Sequence, residues 1–241
     1  MNVSVVVPAR NEEKLLGESL SRIRAAMRAF EQAGWSAELI VCDNNSTDRT
    51  TALAAAAGAR VVFEPINQIS RARNTGAAIA TGDWLVFIDA DSYPSPELLA
   101  DVVQAVQRGD VVAGGATVEI DTDRAALRAV AVVWNLFSRL TRWAAGSFIF
   151  CEAATFRQIG GFSQSLYAGE EIDLFRRLKR VARRLHRRIV ILYRHPLQTS
   201  GRKADLYSTR EALLFNLNVL RTAGRALRDP KSAHMWYDGR R

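Results

Sequence analysis

The stretch DWLVFIDADS, residues 83–92, carries an apolar run from Trp84 to Ile88 into two aspartates with only Ala90 between them. A short β-branched and aromatic run of this kind reads as a strand buried on both faces. Asp89 and Asp91 at its end repel each other and lose water to the adjoining core, so the pair calls for a cationic partner. A divalent cation such as Mg²⁺ or Mn²⁺ would serve, because these ions take one or two carboxylates and complete their shell from water and substrate phosphates. The alternative is a plain turn in which Asp91 and Ser92 cap a helix opening at PSPE, residues 94–97.

Upstream, the runs VSVVVP (3–8), AELIVCD (37–43) and ARVVFE (59–64) alternate with Ala-rich or Leu-spaced segments at 12–33 and 47–57. This βαβα texture specifies an α/β fold with a mostly parallel central sheet covered on both faces. Ligands in such sheets bind beyond the carboxyl ends of the strands. Three polar clusters stand at those ends and should meet in one cleft: Pro8-Ala9-Arg10-Asn11-Glu12, Asp43-Asn44-Asn45-Ser46 and Asp89-Ala90-Asp91.

Downstream, residues 125–150 are apolar and aromatic, interrupted by Arg128, Arg139 and Arg142, which predicts one or two amphipathic helices followed by a strand. GGFSQSLYAGEEIDLFRRLKR, residues 160–180, is a loop entering a helix whose Leu174, Leu178, Val181 and Leu185 share one face. Trp134, Phe137, Leu140 and Trp143 are likewise spaced for one face, as core or a partner contact rather than a lipid anchor. The strand RIVILY (188–193) is then expected to give way to a polar loop and a basic helical tail. The division that follows is a domain over 1–205, with halves at 1–115 and 116–205, and a C-terminal tail over 206–241.

Composition bounds the possibilities. The chain has 241 residues, 48% hydrophobic and 24% charged, enough for one substantial core. Its net charge of +8 favours anionic partners, although only four of the 33 basic residues are Lys. Cys42 and Cys151 are too few for a disulfide framework or a zinc site and read as buried thiols in a reducing compartment. The N-terminus has no basic signal region, and there is no apolar run long enough to span a bilayer, so a cytoplasmic protein is expected. Residues 176–188 carry eight Arg or Lys beside an apolar stripe; that helix either packs with a solvated face or sits at the anionic inner face of a membrane.

Taken in order, VSVVVPARNEE, VCDNNSTDRT, RARNTGAAIATGDWLVFIDADS and GGFSQSLYAGEEIDLFRRLKR resemble the motif series of the family 2 glycosyltransferases over roughly residues 3–205. The resemblance implies the GT-A fold, a three-layer α/β/α sandwich. It also implies transfer of a sugar from a nucleotide-diphosphate donor, most commonly a UDP-sugar, to a hydroxyl acceptor, with inversion and a divalent metal.

Carried over by position, Pro8, Arg10 and Glu12 border the nucleotide, Asp43 and Arg73 reach its base, Asp89 faces the ribose and Asp91 the metal. The acceptor-side Glu-Asp pair of the family falls on Glu170-Glu171, with Asp173 just after, so the general base is Glu171 or Glu170. Several positions have a plainer alternative. Asp43 or Ser46 could cap a helix, Arg71 could replace Arg73, and the carboxylates at 12 and 170–171 suit any first helical turn. His195 is either a further metal ligand or a structural histidine. Arg202 and Lys203 follow a glycine and suit a loop closing on the diphosphate, or a plain exposed basic loop. The acceptor could be lipid-linked or a glycan.

Two other classes fit less well. A nucleotidyltransferase would also use a strand-end acidic site with Mg²⁺, but VVPARNEE has no Gly-rich phosphate loop. A nucleic-acid-binding protein should interleave its basic residues with stacking aromatics, and the densest basic run has none after Phe175.

Overall fold

Alternation along β1 (Asn2–Ala9) sends Val3, Val5 and Val7 to one side of the sheet and Val6 to the other. Strands β2 (Ser36–Asp43) and β4 (Trp84–Ile88) flank β1 in parallel, and β3 (Arg60–Phe63) adds outside β2. Beyond β4 the sheet turns mixed. β7 (Phe148–Glu152) runs antiparallel to β4 and to β6 (Val111–Asp121); β8 (Arg188–Ser200) pairs parallel with β6, and β5 (Ser92–Tyr93) closes the edge antiparallel to β8. The computed structural model describes residues 1–201, 228 and 229, and these eight strands form one sheet in the order β3-β2-β1-β4-β7-β6-β8-β5.

Helices α1 (Leu16–Gln32) and α4 (Pro96–Gln107) bury Leu16, Leu20, Ile23, Phe30, Leu98 and Val102 against one face. On the other face, α6 (Ala153–Gln158) and α7 (Glu170–Arg184) pack Phe156, Leu174, Phe175 and Leu178 around Phe87, whose ring meets Phe156 and Phe162 at 5.2 and 5.1 Å. Each such side chain taken out of water contributes about 1.5–3 kcal/mol before the cost of ordering it. Two short helices, α2 (Thr50–Ala56) and α3 (Ile69–Ala78), follow β2 and β3, and α5 (Ala125–Thr141) lies beside β6. The three layers and the parallel centre match the expectation, and Cys42 and Cys151 are both buried and free. Burial pushes the Cys42 thiol up to about 12 and raises Cys151 as well, so neither is a nucleophile at neutral pH.

Several expectations change. Position 115 falls inside β6, so the two expected halves share a strand. The predicted loop after RIVILY is strand: β8 continues to Ser200 through a register shift opposite Ala116/Val118, where β6 holds it in place. The helix after β5 is capped by Ser95, whose hydroxyl accepts from the Leu98 amide at 3.1 Å with Pro96 in the first turn, so Asp91 and Ser92 are not its caps. Leu185 lies past the end of α7 and is exposed; the buried face ends at Ala182. The tail 206–241 lies outside the described residues apart from Arg228 and Asp229. Among the described residues no helix is long and apolar enough to cross a membrane.

Candidate active site

The carboxyl ends of β1, β2 and β4 open on one cleft, and the loops that leave them are tied to each other by hydrogen bonds. Asn11 and Asn45 adopt left-handed backbone, a conformation asparagine tolerates better than most residues. The Asn11 amide donates to the Ser46 hydroxyl at 3.0 Å while its side chain accepts from the Thr47 amide at 2.8 Å, and the Glu12 amide donates to Thr50 at 2.8 Å. Pro8 and Glu12 are buried here. Arg10 reaches Asn67, whose side-chain oxygen, in the orientation that satisfies both of its partners, accepts from the Arg10 guanidinium at 3.1 Å.

Asp43 terminates β2, and each of its oxygens already holds one donor: the Ser46 amide at 3.0 Å and the Thr51 hydroxyl at 2.8 Å. Carboxylate oxygens accept more than one bond, so this anchoring fixes the group without exhausting it. The neighbouring Asn44 accepts from the Gln68 amide and donates to the carbonyls of Glu64 and Ile66. Gln68, which no motif singles out, donates to the carbonyls of Gln164 and Leu166 and so pins the loop leading into α7 to the segment between β3 and α3.

Arg73 departs most from expectation. Its side chain is 1% exposed, and it lies between two carboxylates: Nη2 donates to Asp89 at 2.9 Å and Nη1 to Glu170 at 2.8 Å. Nη2 also donates to the Gly146 carbonyl at 2.8 Å, and the guanidinium lies over the Phe162 ring at 5.1 Å. A Cβ on Gly146 would stand 3.2 Å from Nη2, so the close approach suits glycine. Burial would lower the Arg73 pKa, but Asp89, Glu170 and Glu171 more than offset it and hold the guanidinium above its ordinary value. Buried between two acids, Arg73 links the strand-end aspartate to the start of α7 through both Nη atoms, while its Nε is left without a hydrogen-bond partner. Arg71, the other candidate for that role, is partly buried and donates to the Gln68 side chain at 3.1 Å.

The N-terminus of α7 gathers three carboxylates, each with different surroundings. Gly169 caps it in left-handed conformation, and Glu170, Glu171 and Asp173 occupy the first turn, where the helix dipole favours negative charge. Glu170 is 4% exposed and paired with Arg73; burial raises its pKa and Arg73 opposes that rise. Glu171, partly open to the cleft, is pushed up to about 8, first by burial and then by the charge of Glu170. Asp173 is paired with Arg177 one turn on, at 2.7 Å, and Arg177 in turn holds the carbonyls of Ile159 and Gly161. Asp173 thus serves the fold of that loop.

The structure therefore brings together Asp89, Arg73, Glu170 and Glu171, with Asp91 two residues beyond Asp89. Asp91 is 3% exposed, and its carbonyl accepts from the Ser200 amide at 3.0 Å. Its carboxylate offers the hard oxygen donor that Mg²⁺ or Mn²⁺ prefers, while Asp89 is engaged by Arg73. Among the described residues no group of three or more His, Cys, Asp or Glu side chains that could hold a metal ion is present.

His195 sits at the β8 irregularity, five residues before the Ser200 whose amide meets the Asp91 carbonyl. Its Nδ1 lies 3.0 Å from Asp101 on α4, so Asp101 orients it, which supports the structural alternative for this histidine. Arg202 and Lys203 lie outside the described residues.

The chain matches the model of glycosyl transferase family 2 over residues 4–160, and it belongs to that family. A dolichol-phosphate mannosyltransferase of Pyrococcus furiosus is 32% identical over 123 residues, covering 48% of this chain and 33% of the relative. The chain spans less than half of the length of the curated relatives it matches, 47%, 33% and 20% in three cases. Among solved structures, S. aureus TarS 1-349 in complex with UDP superposes with a TM-score of 0.65 at 21% identity, covering 98% of this chain and 68% of that one. Glucosyl-3-phosphoglycerate synthase from Mycobacterium tuberculosis, in complex with Mn²⁺, UDP and glucosyl-3-phosphoglycerate, gives 0.58 at 23% identity over 82% of this chain and 71% of that one. These likenesses show the GT-A fold.

Proposed function

We propose that this family 2 member transfers a sugar from a nucleotide-diphosphate donor, a UDP-sugar by preference, to a hydroxyl acceptor with inversion, and that a lipid-linked phosphate is the acceptor class. The observation that carries the reading is the Asp89–Arg73–Glu170 bridge, because it sets a donor-side carboxylate and an acceptor-side helix start in fixed relation across one cleft. The lipid-linked acceptor is supported by the dolichol-phosphate transferase among the relatives, and the preference for uracil by the UDP held in the TarS and glucosyl-3-phosphoglycerate synthase structures.

In this reading the Pro8, Arg10, Glu12 and Asp43 loops receive the nucleotide and Asp89 orients the ribose. Glu171 is the general base. Its raised pKa makes it a competent proton acceptor near neutral to mildly alkaline pH, whereas Glu170 is committed to Arg73. The Glu171 carboxylate takes the acceptor hydroxyl proton as that oxygen bonds to the anomeric carbon. The bond from that carbon to the diphosphate oxygen breaks on the opposite side, and the nucleoside diphosphate leaves with the electron pair. Asp91 would hold Mg²⁺ or Mn²⁺, which when bound supplies positive charge against the departing diphosphate.

Thermal-shift screening of UDP, GDP, CDP and dTDP with and without Mn²⁺ tests the donor side, since a ligand of the native state raises its stability. The expected result is a UDP shift that grows with Mn²⁺ and loses its metal-dependent part in Asp91→Asn. An Asp91→Asn protein with the full Mn²⁺ response would overturn the metal assignment.

A further inference from the structure

Helix α5 turns Ala131 and Ser138 toward the protein, with Asn135 half-buried beside them and Trp134 packed partly against the core. Asn135 bonds both the amide and the carbonyl of Val118, at 2.9 and 2.8 Å, and Ser138 donates to the Trp143 carbonyl at 2.6 Å. The outer side is apolar. Val130, Val132, Val133, Leu136, Phe137 and Leu140 are 62%, 67%, 69%, 60%, 40% and 76% exposed. At about 100° per residue these six, with alanines between them, fill an arc of roughly 160° that holds no charged or polar side chain. An uninterrupted exposed apolar surface of this kind marks a contact surface.

The rim of the face identifies what it contacts. Arg128 and Arg139 stand along one edge, both exposed, and Arg139 lies 4.3 Å over the ring of Tyr193, itself 56% exposed. At the C-terminal end Arg142 is exposed, and α7 brings Arg176 and Lys179 to 5.3 and 5.0 Å from the Trp143 ring. The exposed acids nearby, Asp121 and Asp123, precede the helix. Apolar side chains flanked by arginines and an aromatic match the boundary of an anionic bilayer, where acyl chains take the former and phosphates the latter. A second copy of the chain fits less well, since a symmetric pairing would set the same cationic rim against itself.

We propose that the outer face of α5 docks this protein on an anionic lipid surface. The loop that follows α5 runs directly into the cleft: the Gly146 carbonyl accepts from Arg73 and the Ser147 carbonyl from the Asp89 amide. Docking by α5 therefore sets the acceptor side of the cleft close to the membrane plane, within reach of an acceptor anchored in the same membrane. That consequence rests on the sugar-transfer reading; the docking itself does not.

The test uses the full chain without donor, sedimented with vesicles of phosphatidylcholine alone or mixed with phosphatidylglycerol. Binding should require phosphatidylglycerol and weaken with salt. The double substitution Val133→Glu with Leu140→Glu should lower the vesicle partition coefficient at least about tenfold, because two apolar anchors become charged. Arg128→Gln with Arg139→Gln should reduce binding and flatten its salt dependence. Because the two apolar residues are exposed, the double Glu variant should keep its thermal midpoint in the absence of vesicles and its UDP-induced shift. Four outcomes would overturn the proposal: no vesicle binding by the parent chain; equal binding by parent and double Glu variant; a parent dimer that the double variant splits while vesicle binding stays the same; or a midpoint several degrees lower without lipid, which would mean that the chain's own C-terminal segment covers the face. A retained UDP shift in any of these cases leaves the sugar-transfer reading standing.

Discussion

Two regions of this molecule invert the usual distribution of charge and apolar surface, and they do so in opposite ways. At Arg73, charges are buried: a guanidinium 1% exposed lies between Asp89 and Glu170. On α5, apolar side chains as much as 76% exposed face outward while Asn135 and Ser138 face in. The first inversion is satisfied internally, since each charge meets an opposite one at hydrogen-bond distance. The second finds no internal partner among the described residues that would remove its apolar surface from water. A buried charge cluster whose cation is held from both sides fixes geometry, whereas an apolar face left open fits an external surface. On this view the active site is rigid where donor and acceptor sides meet, and the partner surface lies one loop away.

The comparison is tested most strongly where the buried cluster meets the open cleft. Glu171→Gln keeps size and hydrogen bonding but cannot take a proton. Turnover should fall by about two to four orders of magnitude while the donor dissociation constant stays nearly unchanged, as single-turnover kinetics beside calorimetry would read. Equal turnover in variant and parent would place the base elsewhere. Next in size, Arg73→Met removes the shared cation and leaves Asp89 and Glu170 buried against each other. Denaturant unfolding should show a loss of about 3–5 kcal/mol, the scale for breaking a buried ion pair from one side. A loss under about 1 kcal/mol would mean that Arg73 is a ligand contact and not the link between the two halves of the cleft.

A smaller effect concerns pH. Glu171 is raised from 4.5 to about 8, so in the unliganded enzyme the acid form dominates below that value. The acceptor kcat/KM should rise as pH increases through about 8. Stability runs the other way: a carboxyl whose folded pKa is raised stabilises the fold while protonated, and that contribution is lost as pH climbs from about 4.5 through about 8. Glu170→Gln removes the neighbouring charge and should move the activity midpoint to lower pH, with an effect on turnover smaller than that of Glu171→Gln. A profile that Glu170→Gln leaves in place would separate the two carboxylates.

Much of this was legible in the sequence, for a physical reason. Parallel strands buried on both faces must be apolar throughout, so VSVVVP, AELIVCD and DWLVFIDAD announce both the sheet and the strand ends where the site lies. What periodicity cannot give is direction. The spacing of Trp134, Phe137 and Leu140 shows that α5 has apolar side chains in register but not that the protein takes only Trp134 of the three against its core, beside Ala131, Asn135 and Ser138. Nor does a motif say where a long side chain turns: RARN fixes Arg73 near the site, but its commitment to Asp89 and Glu170 depends on α7 arriving from about a hundred residues downstream. Gln68 was missed for the same reason, since its partners are backbone carbonyls at 164 and 166 that no side-chain pattern encodes.

The smallest predicted effect concerns His195, which a strand-end reading of RIVILY would place among the metal ligands. In the structure β8 continues past it to Ser200, and Asp101 takes its Nδ1 at 3.0 Å. The histidine side chain is 42% exposed, so this pair is screened by solvent and its contribution to stability should stay within about 0–1 kcal/mol. His195→Ala should accordingly leave the Mn²⁺-dependent part of the UDP thermal shift unchanged and the midpoint nearly so, in contrast with Asp91→Asn. Loss of the Mn²⁺ response in His195→Ala would mean that β8 rearranges when donor binds and delivers the imidazole to the ion. The rigidity attributed to the cleft would then end at Asp91, and the sheet edge formed by β5 and β8 would be the part that moves.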